Sequence, residues 1–248
     1  MSGLTFIHCP SPNHEPRPPG VPLDMLILHY TGMRSSASAL QRLCNPQSVV
    51  SSHYLIDEEG RLLRLVAEER RAFHAGVSYW RGGRDINSRS IGIELVNPGH
   101  EFGYRPFPRA QMDVLTALAR DIVTRHGIAA DRVLGHSDVA PTRKQDPGEL
   151  FDWRGLARAG VGLWPSESDD EPPPGPVVIP PDKPCAAARQ FQEKLSAYGY
   201  ETPRTDVIDD ATRIVITAFQ RHFRPGRLDG LVDGETLARL DRLLDLAA

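Results

Sequence analysis

The chain has 248 residues, 40% hydrophobic and 25% charged, with a formal net charge of -3 at pH 7. That is enough for one large or two unequal globular domains, and it lacks the basic surplus that a nucleic-acid partner requires. No apolar run approaches the roughly 18 residues of a membrane span. The first 20 residues hold five prolines and no continuous apolar stretch; they do not read as a secretory leader, so the sequence as it stands predicts a cytosolic protein.

In chain order, Cys9, Cys44 and Cys185 are far apart and odd in number, which predicts free thiols rather than a disulfide framework or a metal knuckle. Met25 to His29 (MLILH) is a short continuous apolar run, the pattern of a strand covered on both faces. Ser35 to Cys44 reads as a helix capped by Ser35 or Ser36. Ser52 to Ile56 and Leu62 to Val66 flank the turn Asp57-Glu58-Glu59-Gly60 and read as a hairpin. Ile91 to Val96 is a further strand, and Arg109 to His126 carries an apolar helical face that Gly127 ends. Arg132 to Leu134 predicts a short strand and Trp153 to Ala159 a short helix. The alternation predicts an α/β body, a mixed central sheet with helices packed on it.

The clearest boundary is the stretch PSESDDEPPPGPVVIPPDKP at 165–184, whose prolines withhold amide donors and fix φ. It predicts an extended linker between a body at 1–164 and a tail at 185–248. In the tail, three amphipathic segments predict a helical mini-bundle: Ala187 to Tyr198, Asp210 to Phe223 with Asp210 as cap, and Asp233 to Leu246. Their stripes carry Phe191, Leu195 and Tyr198, then Ile214, Ala218 and Phe219, then Leu237, Leu240, Leu243 and Leu244.

Of nine histidines, two stand out by position. His29 ends a buried strand, and His136 follows the short strand Val133-Leu134 through Gly135. A loop kept from helix by Pro141 and Pro147 comes next, with Asp138 and Asp146 in it. Two imidazoles and one carboxylate form a catalytic zinc set that leaves a position for water, whereas a closed structural site would need thiolates. Spacing alone does not choose between Asp138 and Asp146.

The segments ILHYT, SSHYLID, FHAGVSYWRG, SIGIELVN and GHSDVAPTRKQDPGELFDW occur in this order across about residues 20 to 160. Together they resemble the N-acetylmuramoyl-L-alanine amidases of the bacteriophage T7 lysozyme type, in particular AmpD and AmiD. The resemblance implies zinc held by His29, His136 and Asp146, with Glu94 as general base and Lys144 facing the developing oxyanion. It implies hydrolysis of the amide between the lactyl group of N-acetylmuramic acid, or its anhydro form, and L-alanine, in peptidoglycan or muropeptides.

Some relatives have a tyrosine before the hairpin histidine; here Ser52 precedes His53, so the base role rests on Glu94 and His53 is expected to pack or hydrogen-bond rather than ligate. His74 and Trp80 are implied to line the substrate groove and Asn97 to bind the peptide, with core packing and loop structure as their rivals. In the tail, Gln192 and Leu195 before Gly199-Tyr200, Thr212 before Phe219-Gln220, and Asp229-Gly230 before Thr236 and Leu240 resemble the three-helix peptidoglycan-binding domain of wall hydrolases. A binding protein that recognises wall fragments without cutting them is the competing reading, and it typically lacks a zinc ligand.

Overall fold

The computed structural model describes residues 4–165, 173 and 175–247. The strands are β1 (Phe6–His8), β2 (His14–Pro16), β3 (Met25–Tyr30), β4 (Tyr54–Ile56), β5 (Leu62–Arg64), β6 (Arg70–Ala72), β7 (Ser90–Leu95), β8 (Val133–Gly135), β9 (Val177–Ile179) and β10 (Val232–Asp233). The α-helices are α1 (Ser36–Cys44), α2 (Ile86–Arg89), α3 (Gly99–Phe102), α4 (Arg109–His126), α5 (His136–Val139), α6 (Trp153–Arg158), α7 (Ala186–Tyr198), α8 (Asp210–Phe223) and α9 (Gly234–Leu246). Among the described residues no helix is long and apolar enough to cross a membrane.

Six strands form the main sheet in the order β1-β5-β4-β7-β3-β8, with only β4 and β5 antiparallel. The β4–β5 pair is the expected hairpin, and Asp57 closes its turn by accepting from the amides of Glu59 and Arg61. β3 lies between β7 and β8 and is buried from Met25 through His29, as its unbroken apolar run requires.

Alternation along β3 sends successive side chains to opposite faces of the sheet. Leu26 and Leu28 join the cluster that holds Leu115, Leu118 and Ile122 of α4. Met25 and Ile27, with Leu134 of β8, join a different cluster, whose other members include Phe191, Leu195, Tyr198, Tyr200 and Phe219 from the tail. The three tail helices are therefore a second helical layer over the main sheet.

The packing places these helices against the body. The expected linker at 165–184 falls partly on 166–172 and 174, outside the described residues. Its later part includes β9, which pairs with β10 of the tail. Three β-branched residues between Pro176 and Pro180 suit a two-stranded edge, where proline's missing donor is not needed.

Two local expectations also shift. Asp209, not Asp210, caps α8, accepting from the Thr212 amide. Ile214 is 40% exposed, while Val215 and Ile216 are buried in its place. In the loop after His136, expected to be non-helical, α5 completes one turn before Pro141 halts it.

Candidate metal centre and active site

The site arises from strand register. His29 on β3 pairs with Glu94 on β7, and Leu28 pairs with Gly135 on β8, the residue immediately before His136. Three parallel strands thus deliver His29, Glu94 and His136 to one carboxyl-terminal edge of the sheet, where α/β folds build their sites. The loop after α5 returns Asp146 to the same point, with the Ser137 amide donating to the Asp146 carbonyl at 2.9 Å.

His29 Nδ1, His136 Nδ1 and Asp146 Oδ2 each lie 3.0 Å from the other two. All three residues are buried. Between the two aspartates that spacing left open, Asp146 meets the histidines. Asp138 points the other way, accepting from Tyr200 and His222 of the tail.

Hydrogen bonding behind the imidazoles decides what they present. His136 Nε2 lies 3.0 Å from the Ala75 carbonyl, which can only accept, so Nε2 carries the proton and Nδ1 a lone pair. The Ser90 hydroxyl donates to the Ile86 carbonyl at 2.6 Å and therefore accepts from His74 Nε2 at 3.2 Å. His74 Nδ1 then accepts from His29 Nε2 at 3.0 Å, leaving a lone pair on His29 Nδ1 as well.

Burial pushes the His29 imidazole down to about 4, so it is neutral near pH 7. Three acceptors at 3.0 Å with no proton between them repel one another unless a cation joins them. That donor set, imidazole nitrogens braced from behind plus one carboxylate, fits a divalent transition metal.

The centre opens on a cleft of about 1090 Å³, lined by His74, Glu94, His136, Lys144 and Asp146 among others. Glu94 keeps partial exposure, yet its Oε2 is buried without a hydrogen-bond partner. Burial, then the negative charge of Asp146, raises its carboxyl well above the usual value, against the opposing pull of Lys144. A carboxylate so placed is primed to take up a proton.

The other expected site residues divide. His53 does not ligate: Nδ1 accepts from the Gly92 amide and Nε2 donates to the Arg70 carbonyl. His74 touches the cleft but has both ring nitrogens engaged behind His29. Trp80 does not line the groove: it is fully buried, with Tyr200 edge-on at 4.9 Å and Tyr198 at 5.8 Å, because the tail covers it. Asn97 is buried, donating to the Arg105 carbonyl and accepting from the Gly99 amide, so its side chain holds a loop.

Three participants went unread in the sequence. Arg143 donates to the Val77 and Ala75 carbonyls and approaches His136 Nε2 at 3.3 Å. Ser90 anchors His74, and Tyr30 borders the cleft with its hydroxyl 2.9 Å from His100 Nδ1. Their signal was adjacency alone: Arg143 beside Lys144, Ser90 before IGIEL, Tyr30 after His29.

Comparison with known proteins agrees with this geometry. The N-acetylmuramoyl-L-alanine amidase family matches residues 19–149, and a peptidoglycan binding domain family matches residues 186–240. The N-acetylmuramoyl-L-alanine amidase AmiD of Escherichia coli is 39% identical over 241 residues, covering 90% of this chain and 83% of AmiD. The 1,6-anhydro-N-acetylmuramyl-L-alanine amidase AmpD of Enterobacter cloacae is 32% identical over 163 residues, covering 59% of this chain and 85% of AmpD. The structure of E. coli AmiD in complex with anhydro-N-acetylmuramic acid-L-Ala-D-gamma-Glu-L-Lys superposes with a TM-score of 0.76 at 37% identity, covering 92% of this chain and 91% of that one. A catalytic body carrying this metal-ready triad, with a helical tail of the wall-binding kind, belongs to the N-acetylmuramoyl-L-alanine amidase family, hydrolases of an amide bond.

Proposed function

We propose that this chain cleaves the amide between the lactyl group of N-acetylmuramic acid, or its anhydro form, and the L-alanine of the stem peptide, using zinc held by His29, His136 and Asp146. The observation that carries the reading is the set of three mutually facing acceptors at 3.0 Å. When bound there, zinc supplies Lewis-acid polarisation of the carbonyl and acidification of water.

The chain's own residues supply the rest. Glu94, its carboxyl raised and one oxygen unpartnered, takes a proton from the attacking water and hands it to the amine nitrogen as the C–N bond breaks. Lys144 lines the same cleft and stabilises negative charge that develops on the carbonyl oxygen. Presence of the full ligand set together with Glu94 and Lys144 favours an enzyme over a binder that does not cut.

The helical tail supports a substrate drawn from wall material, either the polymer or soluble fragments. A wall-binding tail suits the polymer, and the relatives named for anhydro-muropeptide suit the soluble fragment. The test is to incubate zinc-loaded protein with each substrate and detect free stem peptide by mass spectrometry. Release is expected; none from either substrate would return the protein to the class of non-cutting recognition proteins.

A further inference from the structure

We infer that the helical tail is a positioning element of the metal centre, gripping from behind the two segments that carry His136 and Asp146. The inference rests on the reading of those residues as metal ligands.

α5 is a single turn with two outlets. His136 at its start faces the cleft. Asp138, two residues on and 1% exposed, faces the tail. Its Oδ1 accepts from the Tyr200 hydroxyl at 2.6 Å. Its Oδ2 accepts from His222 Nδ1 at 2.7 Å and from the Gly135 amide at 2.7 Å. Two of the three donors that satisfy this buried carboxylate therefore come from the tail, one from the chain after α7 and one from α8.

Neither donor is loosely held. The His222 ring stacks on Trp153 of the body at 3.7 Å and 22°, and on Phe223 at 3.7 Å and 8°. Next to it, the nearly buried Arg221 lies 3.7 Å from Glu149, three residues beyond Asp146. Consecutive residues of one tail helix thus touch both ligand-bearing segments. Gly199 permits the approach: a Cβ there would stand 2.5 Å from the Trp80 ring.

A ligand must be held to a fraction of an ångström, and groups behind the first ligands set metal affinity as well as geometry. Loss of the Asp138 clasp would free a one-turn helix whose own hydrogen bonds are too few to fix it. Tyr200, His222 and Asp138 are accordingly positioning residues, acting through α5 and never touching substrate.

The test uses the full-length chain, with zinc affinity read by competition against a chromophoric chelator and the visible spectrum read on the cobalt(II)-loaded protein. Tyr200→Phe removes one hydroxyl and keeps the packing; His222→Gln removes the second donor. Each is expected to weaken zinc binding by about tenfold, to change the cobalt spectrum, and to lower kcat with KM unchanged. Leu243→Val, in the tail core on α9, should lower Tm and leave zinc affinity and spectrum as in the parent. Unchanged affinity and spectrum in both clasp variants would overturn the proposal, as would an equal loss in Leu243→Val. Failure of the parent chain to bind zinc would instead overturn the metal reading beneath it.

Discussion

His74 Nδ1 lies 3.0 Å from His29 Nε2, so one histidine with no free nitrogen determines which nitrogen of another faces the cleft. The relay runs Ile86 carbonyl, Ser90 hydroxyl, His74, His29. Each link leaves the next only one protonation pattern. Catalytic metal sites depend on such support as much as on the ligands themselves.

That support leads to the first prediction, at Gly92. A Cβ there would stand 2.5 Å from His74 Cγ and 2.6 Å from Nδ1, so the ring cannot stay where it is. Gly92→Ala should weaken zinc binding by about 10- to 100-fold and destabilise the fold by about 1–3 kcal/mol through overpacking. Chelator competition and thermal melts measure the two effects. Unaltered metal affinity would show that the His74 link is dispensable.

Glu94 faces the centre without belonging to its three-acceptor triangle. Glu94→Gln should keep stoichiometric metal and lose about 10²- to 10⁴-fold in kcat. The glutamine has nearly the same shape but cannot carry a proton. Metal content by mass spectrometry and single-turnover rates provide the comparison; a variant with near-parental rate would remove Glu94 from the reaction.

Removal of the metal should act on stability as well as rate. Three unprotonated acceptors at 3.0 Å repel when bare, and a ligand that binds only the native state stabilises it by about 4 kcal/mol at a thousandfold excess over Kd. Chelation should therefore lower Tm and abolish turnover, and added zinc should restore both. A Tm indifferent to chelator would speak against a resident ion.

Much of the body was legible because its signals are local. The apolar run MLILH, the turn at Asp57 to Gly60, and Gly127 closing α4 each translate directly into an element. The pairing of His29 with Glu94, and of Leu28 with Gly135, is a matter of register between strands distant in sequence, which no local pattern encodes. The ordered motifs imply a shared site but not this register. Trp80 stays open in the sequence for a related reason: an aromatic residue in a motif reads the same whether it faces substrate or a second layer. Only the docking of Tyr198 and Tyr200 reveals which. The tail's amphipathic stripes predicted helices but not that two aromatic residues and a histidine would face the catalytic sheet.

A pH dependence separate from the active site follows from Glu68. Burial acts to raise its carboxyl, yet hydrogen bonds from Arg125, Tyr54 and His126 prevail and hold it at about 2, against an ordinary 4.5. Tyr54 donates at 2.7 Å and Arg125 at 2.8 and 2.9 Å, tying the C-terminal end of α4 to β4 of the sheet. A carboxyl depressed in the folded state contributes stability that is fully present above the unfolded value and is lost as pH falls through the folded one. Its share should therefore vanish between about pH 4.5 and 2. Glu68→Gln should cost stability at pH 7 on the order of 1–3 kcal/mol for a broken buried network, read as a lower Tm, and should show a shallower acid slope. The parental and variant Tm curves should converge toward pH 2; curves that stay parallel through the acid range would assign the acid sensitivity to other carboxylates.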